Sequence, residues 1–224
     1  MNQPPELGVD LTTVLIVDDD RWVTKALASV LVNAPGLRVL GVAHSGEEGV
    51  EAYRALRPDV VLMDVSMPPG MTGVDATAAI RRYDPEAAVV ILTTIAPGPG
   101  LARALDAGAM AALSKDASDE TLIETVKSAA RGDDPALLKN LVGDVLVSGQ
   151  SLPDAPATAP QLTTAEYETL RLICEGLGYE EIAAKRSVAP STVKAQVKGL
   201  REKLDAQNLA QLIVRAIQFR FIGM

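Results

Sequence analysis

Cysteine, histidine and aromatic side chains are scarce in this chain of 224 residues. One cysteine, Cys174, excludes an internal disulfide framework and fits a reducing, cytoplasmic compartment. Set among Leu170, Ile173 and Leu177, it reads as a packing residue rather than a reactive thiol. One histidine, His44, cannot support a histidine-based metal cage and reads as a loop residue. Aromatics make up only 3% of the chain, yet a hydrophobic fraction of 48% is ample for a packed core. Long hydrophobic runs are missing as well: none approaches the ~18 apolar residues of a membrane span. Met1 to Asp10 holds Pro4-Pro5 and two acids, without the basic and apolar regions of a secretory signal.

What the chain does have is a set of short apolar runs that end on reactive side chains. Val14 to Val17 leads into Asp18-Asp19-Asp20, and Val60 to Met63 leads into Asp64. Val89 to Leu92 leads into Thr93-Thr94, and Met110 to Leu113 into Ser114-Lys115. Such runs alternating with helical stretches predict a buried parallel sheet, and these sheets bind ligands at the carboxyl ends of their strands. Carboxylates, a hydroxyl and an ammonium would meet there. Phosphorylating an aspartate needs those groups: a carboxylate nucleophile, oxygen ligands for a divalent ion, and a cation facing the phosphoryl group. Asp18 and Asp19 would supply an acidic pair for Mg2+, with Asp64 as third ligand and nucleophile. Lys115 would pair with the acyl phosphate and Thr93 would hydrogen-bond a phosphoryl oxygen.

The pattern predicts a doubly wound α/β domain of five parallel strands over residues 1–131. Its helices are expected at Trp22–Asn33, Gly46–Leu56, Gly73–Tyr83, Leu101–Ala107 and Asp119–Arg131. Loops are marked by Pro68-Pro69-Gly70 and Pro97-Gly98-Pro99-Gly100. Residues 132–161, rich in Ser, Pro, Ala and Thr toward their end, read as an interdomain linker with a short helix at Leu137 to Val147. Residues 162–224 read as a small all-α domain. Thr163 or Thr164 caps its first helix, a second spans Tyr179 to Lys185, a third runs from Pro190 or Ser191 to Leu204, and a last covers Leu209 to Phe221. Two short helices joined by a tight turn, the second carrying basic residues, describe a helix-turn-helix.

Charge follows that division. The net charge of −8 argues against nucleic acid, but residues 1–131 carry 11 Lys and Arg against 18 Asp and Glu, and residues 161–224 carry 9 against 7. Lys185, Arg186, Lys194, Lys198, Arg201 and Lys203 give the stretch 185–203 a basic face, with Glu202 its one acid. Val193, Val197, Leu200 and Leu204 form a core stripe on the third helix, and Lys194, Lys198 and Arg201 share an adjoining one.

These strings carry a resemblance. VLIVDDD (14–20), PDVVLMDVSMP (58–68), VILTT (90–94), AGA (107–109) and SKD (114–116) make residues 13–131 similar to a bacterial response-regulator receiver domain of flavodoxin-like fold. LTTAEYETLRLICEGLGYEEIA (162–183) and STVKAQVKGLREKL (191–204) resemble the DNA-binding domain of the LuxR/FixJ/NarL class. The resemblance implies that Asp64 is the phosphoacceptor, that Asp18, Asp19 and the Ser66 carbonyl complete the Mg2+ site, and that Thr93 and Lys115 contact the phosphoryl group. It implies that Lys194, Ala195 and Lys198 face bases, while Thr192 and the other basic residues, Arg201 among them, meet phosphates. It also makes Ile213 and Ile217 candidates for a homodimer interface on DNA.

The departures from that pattern are local. Ala112 stands where the family has a switching aromatic, the loop from Pro68 to Gly73 is one residue longer than usual, and Pro97–Gly100 reshapes the entry to the fourth helix. In the second domain Ala189 replaces the usual Ser cap, Gln196 a common His, and Gly199 interrupts the third helix. The expected function is a two-component transcription regulator, not an enzyme, phosphorylated by a sensor histidine kinase and bound to double-stranded promoter DNA. Two other readings use the same residues: a regulator whose receiver is a docking module independent of phosphorylation, and an aspartyl-nucleophile phosphohydrolase. The last leaves the helix-turn-helix unexplained.

Overall fold

The computed structural model describes residues 11–94, 100–132 and 159–222. Strands β1 (Thr12–Val17), β2 (Leu37–Ala43), β3 (Val60–Asp64), β4 (Ala88–Thr93) and β5 (Ala111–Ser114) alternate with helices α1 (Arg21–Val32), α2 (Gly46–Leu56), α3 (Gly73–Tyr83), α4 (Leu101–Asp106) and α5 (Asp119–Ala130). The sheet is parallel throughout, in the order β2-β1-β3-β4-β5. Among the described residues, four helices follow: α6 (Thr164–Cys174), α7 (Tyr179–Arg186), α8 (Pro190–Leu204) and α9 (Leu209–Gln218). The expected helix at Leu137 to Val147 lies outside the described residues. Among the described residues no helix is long and apolar enough to cross a membrane.

Strand alternation sorts the aliphatic runs into two cores. Val14, Ile16, Val60, Leu62, Val90 and Leu92 point to the side of α1 and α5, where Leu31, Leu122 and Val126 meet them. Leu15, Val17, Val61, Met63, Val89 and Ile91 point to the other side, against Val50, Tyr53, Ile80 and Leu105. Fully burying each such side chain contributes roughly 1.5–3 kcal/mol, which is how a chain with two phenylalanines and one tryptophan holds a rigid sheet. The second core continues into the helical part through Leu170, Ile173, Ile182, Val193, Leu200 and Leu212.

The helices start where short polar side chains can take an unpaired N–H. Asp20, Ser45, Thr72, Ser118, Thr163 and Asn208 each cap the helix that follows. Asp20, the third acid of the run after β1, is therefore the α1 cap, receiving the Trp22 N–H at 2.7 Å. Three helices start without such a bond: α4 at Gly100, α7 at Gly178 and α8 at Ala189, whose methyl group offers no acceptor. The last helix ends three residues before its expected limit. Phe219 and Phe221 pack ring to ring at 6.0 Å while Arg220 takes a left-handed turn, closing α9 at Gln218.

Candidate functional site

Strand order reverses between β1 and β3, and the crevice at that point is where such sheets hold ligands. Asp18 follows β1 and is fully buried; Asp64 ends β3 and is 7% exposed. Asp19 sits at the exposed mouth. The three offer carboxylate oxygens within 4.8 Å of one another. Lys115, next after β5, reaches both buried acids, with Nζ 2.6 Å from Asp18 Oδ2 and 3.0 Å from Asp64 Oδ1. Burial pushes the Asp64 carboxyl above its usual range, only partly countered by Lys115. Burial works against the Lys115 ammonium too, but the hydrogen bonds it donates to Asp18 and Asp64 outweigh it and raise its pKa. One ammonium faces three acids, two of them buried. That excess of negative charge is what a divalent oxygen-liganded ion neutralises, so the residues present fit Mg2+.

Backbone bonds hold the other expected residues nearby. Asp64 lies beside Leu92 in the β3–β4 register, so Thr93 is the next residue on the neighbouring strand, and its carbonyl accepts the Lys115 N–H at 2.8 Å. Ser66 donates its N–H to Asp64 Oδ2 at 3.3 Å. His44 is a loop residue, and it has a structural part: Nδ1 lies 3.1 Å from the Asp18 carbonyl. Trp22, four residues beyond Asp18, is 80% exposed at the start of α1.

Two residues that sequence reasoning did not single out shape the loop after Asp64. Gly73 packs so closely that a Cβ there would fall 1.7 Å from the Asp64 carbonyl oxygen. Glu47, in the first turn of α2, accepts the Met71 N–H at 2.9 Å and anchors the lengthened loop. Glycine before an apolar-periodic helix was a visible signal; Glu47 and Glu48 were indistinguishable by pattern.

On α8, Val193, Val197, Leu200 and Leu204 are buried, while Thr192, Lys194, Ala195 and Lys198 are exposed. Among the described residues Lys194 and Lys198 carry no ion pair, which leaves both open to a phosphate or a base. Arg201 does not belong with them. Its guanidinium turns past the end of the helix, where Nε meets the Ala206 carbonyl at 3.4 Å and Nη2 donates to that of Gln207, both in the turn between α8 and α9. Lys203 is 2.8 Å from Glu166 and Lys185 3.6 Å from Glu175. Ile213 is fully buried inside this chain and Ile217 half-buried, so Ile213 is a packing residue in this arrangement rather than a surface offered to a second copy.

The two parts of the chain meet through α9. Its N-cap Asn208 accepts the Gln211 N–H through Oδ1 and donates through Nδ2 to the carbonyls of Gly108 (2.8 Å) and Ala109 (3.3 Å), after α4. Gln211 Nε2 donates to the Asp106 carbonyl at 2.7 Å, and Arg215 pairs with the Asp106 carboxylate at 3.1 Å. Buried Arg81 on α3 adds a bond to Gln207 at 3.2 Å. No local pattern announced these partners.

The class follows from the two halves together. Residues 14–127 match the response regulator receiver domain, and residues 160–216 match the bacterial regulatory proteins of the luxR family. The chain belongs to the two-component response regulators that carry a LuxR-type DNA-binding domain and regulate transcription. Its relatives include the transcriptional regulatory protein LiaR of Bacillus subtilis, 32% identical over 91% of this chain and 95% of that one. The oxygen regulatory protein NreC of Staphylococcus carnosus is 33% identical over 93% and 98%. Among solved structures, the response regulator ChrA of a heme-sensing two-component system aligns over 95% of this chain and all of its own, with TM-score 0.53 and 28% identity.

Proposed function

We propose that this regulator is switched by Mg2+-dependent phosphorylation of Asp64 by a sensor histidine kinase in the cytoplasm, and that the phosphorylated form binds promoter DNA as a homodimer. The observation that carries this reading is the buried Asp18–Asp64–Lys115 cluster at the switch point of the sheet. An Asp64 oxygen attacks the phosphorus of a kinase phosphohistidine; the P–N bond breaks, and its electron pair leaves with the imidazole. Mg2+, held by Asp18, Asp19, Asp64 and the Ser66 carbonyl, would neutralise the incoming oxygens. Lys115 pairs with one phosphoryl oxygen, and the Thr93 hydroxyl donates to another. Residues 1–131 form the receiver, 132–161 the linker and 162–224 the DNA-binding domain, in which Thr192, Lys194, Ala195 and Lys198 meet DNA.

Since Ala112 removes the aromatic relay, the signal takes a shorter route. Thr93 ends β4, the strand that precedes α4 in the chain, and the far end of α4 supplies the carbonyls and carboxylate that α9 grips. Drawing Thr93 toward a phosphoryl group shifts α4 and loosens that grip.

A duplex enriched from a random library by the wild-type protein, titrated with and without beryllofluoride, tests the reading. Affinity should rise at least about tenfold with the mimic, a shift of ~1.4 kcal/mol, and Asp64→Asn should abolish the rise. An equal affinity with and without the mimic would favour the alternative that Ala112 suggests, a receiver used as a docking module.

A further inference from the structure

Arg186 closes α7 within the basic stretch 185–203, yet its side chain is turned inward and only 11% exposed. Nη1 donates to Thr169 Oγ1 on α6 and to Gln196 Oε1 on α8. Nε lies 3.4 Å from Glu168 Oε2. The buried Thr169 hydroxyl is itself 2.7 Å from the same Gln196 oxygen and 3.0 Å from the Ala165 carbonyl. Three helices are thus clasped at one point. A guanidinium can only donate, so the amide atom it meets must be oxygen, and chemistry fixes which way the Gln196 amide points. Its NH2 end remains over: among the described residues, Gln196 Nε2 donates to no group.

The clasp has a particular importance for α8. No side chain caps the start of that helix. Its rotation is set by the Val193, Val197, Leu200 and Leu204 stripe, and apolar packing is non-directional. Hydrogen bonds are directional. Gln196 is half-buried at the edge of the stripe, directly after exposed Ala195 and one turn beyond exposed Thr192. A glutamine with both ends available can read adenine through a bidentate pair; one whose oxygen is held inside can only donate.

We propose that Gln196 contacts DNA as a donor-only group, to a phosphate oxygen or a purine acceptor, and that Arg186 is the positioning residue that holds it and α8 in place. Arg186 is then no phosphate ligand. The inference rests on the LuxR-type DNA-binding fold and is independent of the phosphorylation switch.

The full-length chain is titrated with a duplex enriched from a random library, over a range of salt, as wild type, Arg186→Met, Thr169→Val, Gln196→Ala, Gln196→Glu and the double variant R186M/Q196A. Circular dichroism establishes that each is folded. Arg186→Met and Gln196→Ala should each weaken binding about tenfold, the value of one lost hydrogen bond of ordinary strength. The double variant should be no weaker than the worse single one, and the salt slope should stay unchanged, since neither group releases a counterion. A slope shallower by about 0.9 in Arg186→Met would make Arg186 itself a phosphate contact and overturn the proposal. So would losses that multiply in the double variant. Gln196→Glu keeps an acceptor for Arg186 but removes the NH2, and wild-type affinity in that variant would equally sink the idea; it decides the matter even where Arg186→Met does not fold. Methylphosphonate and 7-deazapurine substitutions in the duplex identify the acceptor: the Gln196→Ala defect should vanish at one such position, and its persistence at every position would count against a DNA contact.

Discussion

A carboxylate buried beside two others is an unstable arrangement, and Asp64 shows it. Its raised pKa means that folding favours the protonated acid. Its stabilising contribution is complete below the ordinary carboxylate range and is lost as pH rises through the elevated value. Metal-free protein should therefore melt lower at neutral pH than in mild acid on account of this group. Asp64→Asn should flatten that part of the pH profile, and added Mg2+ should recover the loss in wild type but less in the variant; thermal melts across pH check all three. Gly73 is the steric counterpart. Gly73→Ala would drive a methyl into the Asp64 carbonyl 1.7 Å away, so the loop or the strand must move. A loss of about 3 kcal/mol in denaturant unfolding is expected, together with slower labelling by a small phosphodonor. The acids and Lys115 were legible because strand ends converge whatever the loops do. Gly73 was legible as a helix start, but its proximity to Asp64 required the folded backbone.

Helices that begin on capping side chains were read from sequence almost to the residue, since Ser45, Thr72, Ser118 and Thr163 each pair with an N–H only a few positions away. The basic face of residues 185–203 was read less well. Charge pattern locates a side chain on a helix surface but not its rotamer, and long arginine stems can bury their length. Arg186 and Arg201 both turned to neighbouring carbonyls and hydroxyls, leaving Lys194 and Lys198 as the open cations. Gly199 offers a test at this scale. A Cβ there would meet nothing nearer than Glu166 Oε1 at 3.9 Å, so Gly199→Ala should stabilise α8 by about 1 kcal/mol, seen as a higher midpoint in the unfolding of the DNA-binding part. An unchanged or lower midpoint would mean the helix is held elsewhere.

Contact between the two parts of the molecule was invisible in the sequence for a simple reason: its hydrogen bonds join residues about a hundred positions apart, and no local periodicity records them. Three of the five bonds accept at backbone carbonyls between Asp106 and Ala109, so these three depend on where the end of α4 sits rather than on which side chains it carries. Lys194 and Lys198 remain exposed while α9 is held, so the contact restrains α9 without covering them. Gln211→Ala combined with Arg215→Ala removes two of the bonds and leaves the Asn208 cap. This pair should raise DNA affinity without beryllofluoride and shrink the gain the mimic brings. Hydrogen exchange at Asp106–Ala109 should quicken in the same variant, and unchanged exchange would show that the contact does not govern the α4 turn.

The indole of Trp22 gives the molecule an optical handle. It is the only one in the chain, it stands in water at the edge of the acid pocket, and α1 holds it there through the Asp20 cap. Emission excited where tyrosine is dark therefore comes from the receiver alone, even in the intact protein on DNA. The ion binding and phosphoryl transfer proposed at Asp64 can be tested in that channel without a label, and events in the second domain stay silent in it.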